Sequence, residues 1–85
     1  MTNLEQVLLD LVTPMVERPE MLEVAEMPSS DEREVVLYVY ATNDDIARLI
    51  GRKGSMAGAL RQVMSVASHK ENKKVTIKFE ERENA

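Results

Sequence analysis

Leu4, Val7, Leu8, Leu11, Val12 and Met15 recur at i, i+3, i+4, i+7, i+8 and i+11, which is one face of an amphipathic helix. Thr2 with Glu5 three residues later has the form of a capping box, and Asn3 is an equal alternative as the cap. Pro14 removes the donor that would reach the carbonyl of Asp10, so a helix over residues 2–13 must kink or end there. Pro19 closes any last turn. From Met21 to Met27 the period becomes extended, with Leu22 and Val24 alternating with Glu23 and Ala25. Pro28 to Glu32 is a polar turn. Val35 to Tyr40 is an unbroken run of strand formers and predicts a strand over residues 34–41. Its two faces are both apolar, the mark of a central strand covered at least in part on both sides. A connection of this length between the two strands predicts an antiparallel pair.

The helical period then returns. Thr42 and Asn43 supply a cap, and Asp44 and Asp45 lie in the first turn, where acids suit the helix dipole. Ile46, Leu49 and Ile50 share one face before Gly51 to Gly54 interrupts. Ser55 can cap a second helix with the stripe Met56, Ala59, Leu60, Val63, Met64 and Ala67. After a polar loop, Val75, Ile77 and Phe79 alternate with Lys74, Thr76, Lys78 and Glu80. The pattern predicts one domain over residues 1–85, divided as an N-terminal helical unit 1–18, two strands 21–41, helix–turn–helix 43–69, a final strand 73–80 and a frayed tail 81–85. That order is an α+β two-layer sandwich, a three-stranded mixed sheet with its helices on one face. The crossover through two helices admits parallel pairing of the second and third strands.

Composition narrows the chemistry. Apolar residues are 44% of the chain and aromatics only 4%, so the core is aliphatic. There is no cysteine, hence no disulfide framework and no thiol chemistry. A single histidine, His69, cannot make a zinc site unaided, and no metal site or cofactor motif is expected. No apolar run is long enough to cross a membrane, and the N-terminus lacks the order of a signal peptide, which leads to the expectation of a cytoplasmic protein without membrane contact.

Net charge is −4, but its distribution matters more than its sum. Residues 1–45 carry two basic and eleven acidic side chains, a balance of −9. Residues 46–78 carry eight basic residues and one acid, a balance of +7. A polyanion is attracted to the second half and repelled by the first.

At the head of the basic half stands Ile50-Gly51-Arg52-Lys53-Gly54. Two glycines let one helix stop and another begin within four residues, and they leave room for close approach of a ligand. The amides of Gly54 and Ser55 are expected to point outward at the positive end of the second helix. With Arg52 and Lys53 at the tip, the turn suits sugar-phosphate contacts, which position nucleic acid without reading its sequence. A turn of this pattern that serves only to join two helices is the plain alternative. The spacing differs from a nucleotide-binding P-loop, which needs four residues between its glycines.

The stretch Asp45-Ile46-Ala47-Arg48-Leu49-Ile50-Gly51-Arg52-Lys53-Gly54, followed by Leu60-Arg61, resembles the signature of a KH domain. The order of elements resembles the type II, prokaryotic arrangement. Across nearly the whole chain, with Val12-Thr13-Pro14-Met15-Val16 and then Pro19, it is similar to the small stand-alone bacterial KH proteins of the KhpA (YlqC) family. The resemblance implies single-stranded RNA, with single-stranded DNA as the alternative, lying across a groove. Gly51, Arg52, Lys53, Gly54 and Ser55 would meet phosphates, with Arg48 and Arg61 as flanking cations. Ile46 and Ile50 would be core or groove floor. It also implies a homodimer, a heteromer with a larger Jag-type KH protein (KhpB), and an RNA chaperone role touching cell-wall homeostasis, cell shape and division. Ala57 and Gly58 depart from the family pattern, which has a larger aliphatic at the third position after the loop. Tyr38 and Tyr40 are read as core residues, with base stacking as the alternative. Lys70, Lys73, Lys74 and Lys78 either extend the basic face or are simply solvated, and His69 is a loop residue.

Two other classes compete. A protein-interaction module would use the acidic half or a methionine-rich surface, six methionines being available. An enzyme ranks lowest, for want of a nucleophile-and-base arrangement, a metal cluster or a nucleotide motif.

Overall fold

The alternating residues Val35, Leu37, Val39 and Ala41 of the central strand are all buried and form the floor on which the helices pack. The computed structural model describes residues 3–82. Their elements are α1 (Leu4–Val12), β1 (Glu23–Met27), β2 (Glu34–Ala41), α2 (Asn43–Ile50), α3 (Ser55–His69) and β3 (Lys74–Glu81). Short 3-10 turns lie at Thr13–Met15, Pro19–Met21 and Arg52–Gly54. The sheet order is β1-β2-β3. β1 runs antiparallel to β2, with Ala25 opposite Tyr38, and β2 runs parallel to β3, with Leu37 opposite Ile77. This is the α+β mixed sheet with helices on one face that the sequence predicts.

Leu4, Leu8 and Val12 of α1, Leu49 of α2, and Leu60 and Met64 of α3 meet β2 and Val75 of β3 in one aliphatic core. Asn3 is the cap of α1, its side chain accepting from the amide of Gln6 at 3.2 Å. The alternative cap, Thr2, lies outside the described residues. α1 ends at Val12 and Pro14 sits in the following 3-10 turn, as a residue without a donor must.

Four expectations need correction. The first strand starts at Glu23, because Pro19 holds residues 19–21 in a 3-10 turn. β2 is central and covered in part on both faces, as expected, but unequally: Val36, Tyr38 and Tyr40 are only half-buried on the side away from the helices, which corrects the reading of the tyrosines as core. There the two tyrosine rings stack on each other at 6.0 Å, so they are neither core nor close to the helices. The buried stripe of α3 is Ala57, Leu60, Met64 and Ser68. Met56, Ala59 and Val63 are exposed, since α3 is apolar on two adjacent faces and only one can meet the core. The tail predicted over 81–85 is paired at its start: Glu81 belongs to β3, and the amide of Arg82 donates to the carbonyl of Ala41 at 2.7 Å. Residues 83–85 lie outside the described part.

Candidate nucleic-acid interface

α2 is short, so both its ends need support. Thr42 is the cap, its hydroxyl accepting from the amide of Asp45 at 3.3 Å. Asp45 is buried, and its carboxylate turns back across the fold. Oδ1 accepts from the amide of Glu17 and Oδ2 from that of Arg18, each at 3.0 Å. Burial alone would raise this carboxyl's pKa. The amides of Glu17 and Arg18, Thr42 and the Arg48 guanidinium outweigh it and hold the group below the ordinary aspartate value. Asp45 therefore ties the segment after α1 to the helix that leads into the glycine turn. From sequence it reads only as a first-turn acid. Its partners stand 27 and 28 residues away, where no local pattern reaches.

At the other end, the amide of Gly51 reaches the carbonyl of Ala47 at 3.0 Å and the helix stops. Gly51 has φ 76° and ψ 177°, a region that only glycine occupies readily. A Cβ built there would lie 2.8 Å from Cβ and 2.9 Å from N of Met56, so the position is closed by sterics as well. Lys53 (φ 57°) and Gly54 (φ 76°) follow in the left-handed region. Three of the four turn residues thus have positive φ, and one of them is a lysine, where left-handed backbone costs about 1 kcal/mol. Around Gly54 a Cβ would meet nothing within 4 Å, so its requirement is conformational alone.

The expectation of outward amides at Gly54 and Ser55 fails. Gly54 donates to the carbonyl of Gly51 at 3.2 Å, and Ser55 donates to that of Arg52. The turn uses them to hold its own shape. Gly54 is also the cap of α3 and brings no side chain to the first-turn amides that follow.

Arg52, Lys53 and Ser55 are exposed at the tip, and among the described residues neither cation makes an ion pair. Arg48 differs. Its guanidinium is 3.0 Å from Glu17 and 3.9 Å from Asp45, so part of its charge is already answered. Ile46 is buried and Ile50, the last residue of α2, is half-buried. Arg61 is exposed one face along α3.

A depression of about 410 Å³ opens between α3, from Gly58 onward, and the start of β3. Gly58, Arg61, Gln62, Ser65, Lys74 and Val75 line it, with no acid among them. A Cβ at Gly58 would meet nothing within 4 Å, so its absence widens the floor. Gln62, which no sequence pattern singles out, adds an amide able to donate and accept. β3 is an edge strand. The amides of Lys74 and Arg82 bond to the carbonyls of Arg33 and Ala41, so even-numbered β3 residues face β2. The backbone groups of Val75, Ile77 and Phe79 then face the open edge. Tyr38 and Tyr40 stand on the opposite face of the sheet from this depression, and β2 and β3 register puts Lys78 beside Tyr38 there.

A left-handed, cation-tipped Gly-x-x-Gly turn between two helices on a mixed sheet is the architecture of the type II KH fold. The chain belongs to the KhpA/KhpB KH-domain family, whose model matches residues 5–79. A Clostridium acetobutylicum relative named RNA-binding protein KhpA is 29% identical over 76 residues, covering 89% of this chain and 99% of its own. A Clostridium perfringens protein of the same name is 34% identical over 65 residues, covering 76% and 84%. The Bacillus subtilis protein of that name is 27% identical over 77 residues, covering 91% and 93%. The family is one of nucleic-acid-binding modules and not of enzymes.

Proposed function

We propose that the chain is a non-catalytic protein that binds single-stranded RNA, gripping the backbone at Gly51–Gly54 and laying bases into the depression along α3. The observation that carries this reading is a left-handed turn bearing two cations, unpaired among the described residues, at the head of the helix that walls an acid-free, cation-lined groove. Arg52, Lys53 and Ser55 contact phosphates, Arg61 flanks them, and Arg48 contributes what Glu17 leaves of its charge. The names of the relatives support RNA over DNA. Bases meet an aliphatic and amide surface, with Gly58, Gln62 and the open edge at Val75 as their neighbours.

The test is Arg52→Asp with Lys53→Asp, measured against a single-stranded oligonucleotide. Affinity should fall at least about tenfold, the salt slope should flatten by about 1.4 as two phosphates go unneutralised, and the urea midpoint should not move. Wild-type affinity in the double variant sinks the site assignment.

The family resemblance extends the proposal. It adds an RNA chaperone role in the cytoplasm, acting as a homodimer and in a heteromer with KhpB on cellular RNAs that bear on cell-wall homeostasis, cell shape and division. The outer face of α3 supports self-association, with Val66 76% and Val63 46% exposed. Sedimentation should give twice the mass of the chain, and a monomer at micromolar concentration would remove that part of the reading. The competing methionine-rich docking surface loses support, because Met64 is fully buried and only Met56 is exposed among the described methionines.

A further inference from the structure

Beyond the groove, at the far end of α3, lies a second depression of about 300 Å³. Arg33, Ser65, His69, Asn72, Lys73 and Lys74 line it. Three are cations, one is an imidazole and none is an acid. Among the described residues, no ion pair involves Arg33, His69, Lys73 or Lys74. Of the acids near these residues in sequence, Asp31 accepts from the amide of Arg33 at 2.9 Å and Glu34 from the hydroxyl of Ser29 at 3.0 Å, while Glu32 and Glu71 line neither depression and make no ion pair among the described residues.

The backbone builds this cluster. The amide of Lys74 donates to the carbonyl of Arg33 at 2.7 Å, which draws the start of β3 against the residue before β2. Asn72, left-handed at φ 54°, turns the chain out of α3 while its amide donates to the carbonyl of His69 at 3.0 Å. Glu71 and Lys73 both donate to the carbonyl of Ser68, at 3.0 and 3.4 Å. Those bonds occupy carbonyls at the end of α3, which would otherwise repel an anion. Like charges held together in a concavity repel one another, and a chain of net −4 has acids to spare for pairing them. Unpaired among the described residues, they fit an anionic ligand.

We infer that this depression is a second phosphate subsite, one that takes a backbone phosphodiester of the strand held at the glycine turn. This rests on the RNA-binding reading above. The two depressions share Ser65 and Lys74, so they form one continuous path. The path follows α3, whose 15 residues span about 22 Å at 1.5 Å each. A stacked strand at about 3.4 Å per nucleotide covers that distance in about six nucleotides, and an extended one in fewer. The protein therefore measures a minimum length of RNA, and it engages the strand at both ends of the groove.

The test uses Arg33→Ala with Lys73→Ala, since both side chains are exposed and line only the distal depression. Oligouridylates of three and eight nucleotides are the probes. The eight-mer should bind about five- to tenfold more weakly to the variant, with a salt slope shallower by about 0.7 for each phosphate left without its cation. The three-mer, too short to span both ends, should bind within twofold of wild type. An unchanged eight-mer, or equal losses for both lengths, overturns the subsite. Amide shifts of the labelled wild-type chain on adding inorganic pyrophosphate separate this inference from the reading it rests on. Shifts at Asn72–Lys74 without any RNA binding keep the subsite and remove the RNA reading. Shifts confined to Arg52–Ser55 do the reverse, and no shifts at either place remove both.

Discussion

At its N-terminal end α2 is fastened from outside itself: Thr42 caps it, and the buried Asp45 carboxylate accepts two amides from the segment after α1. Eight residues complete the helix, and at its C-terminal end nearly everything reverses. The chain turns through three positive-φ residues, two cations stand exposed, and the backbone amides bond only to the turn itself and to Ala47 of the helix that precedes it. One end centres on a buried, satisfied carboxylate, and the other is exposed, cationic and strained. The contrast shows how a small fold can hold a strained, like-charged turn: the helix leading into it is anchored at its opposite end.

The strongest way to break this contrast is Asp45→Ala. Two amides lose a charged acceptor inside the protein, which should cost about 3 kcal/mol in urea unfolding. The RNA affinity of the fraction still folded should change little. If that affinity collapses while stability holds, Asp45 belongs to the binding machinery and the division of labour is wrong. The same carboxylate sets an acid limit. Its folded-state pKa is depressed, so its contribution is complete above the ordinary value of 3.8 and is lost as pH falls through the folded-state value. The acid-unfolding midpoint of wild type should therefore depend on this group, and Asp45→Asn should weaken that dependence.

Next in size is a pair of glycine substitutions within the turn. Gly51→Ala adds a clash with Met56 to a backbone conformation that alanine avoids, and should cost about 2–3 kcal/mol. Gly54→Ala meets open space and only left-handed strain, about 1 kcal/mol. Equal losses at the two sites, read as equal shifts in thermal midpoint, would mean that Met56 gives way and the turn is looser than its geometry implies. The smallest effect carries the opposite sign. Lys53→Gly relieves the left-handed strain at some cost in chain entropy, for a net gain of about 0.5 kcal/mol. RNA affinity should drop severalfold with the missing charge. A loss of stability in this variant would show that the Lys53 side chain supports the turn, contrary to its exposure.

The sequence makes the order of elements legible because the apolar period switches cleanly between helical and extended. The glycine turn is legible too, since Gly51, Arg52, Lys53 and Gly54 carry its shape and charge within four residues. Remote partnerships are not. Nothing near Asp45 announces that it will bind the amides of Glu17 and Arg18. Periodicity also fails where a helix offers two apolar faces, as in α3, because the choice between Val63 and Ala57 is made by the sheet. Tyr38 and Tyr40 mislead for a related reason: aromatic strand formers read as core, yet on the side of a sheet away from the helices they can cover each other. The cation cluster at Arg33 and Lys73 joins residues forty positions apart, and only the β2–β3 register brings them together.

That parallel ladder has a consequence in time as well as in space. Glu34 pairs with Lys74 and Ala41 with Glu81, so every rung closes a loop that contains both helices and the glycine turn. Such long-range pairing raises contact order and slows the search for the folded state. β3 is also synthesised after both helices, so a nascent chain holds the turn residues well before it can fix their geometry. The geometry of the turn is then a property of the finished fold and never of the emerging peptide.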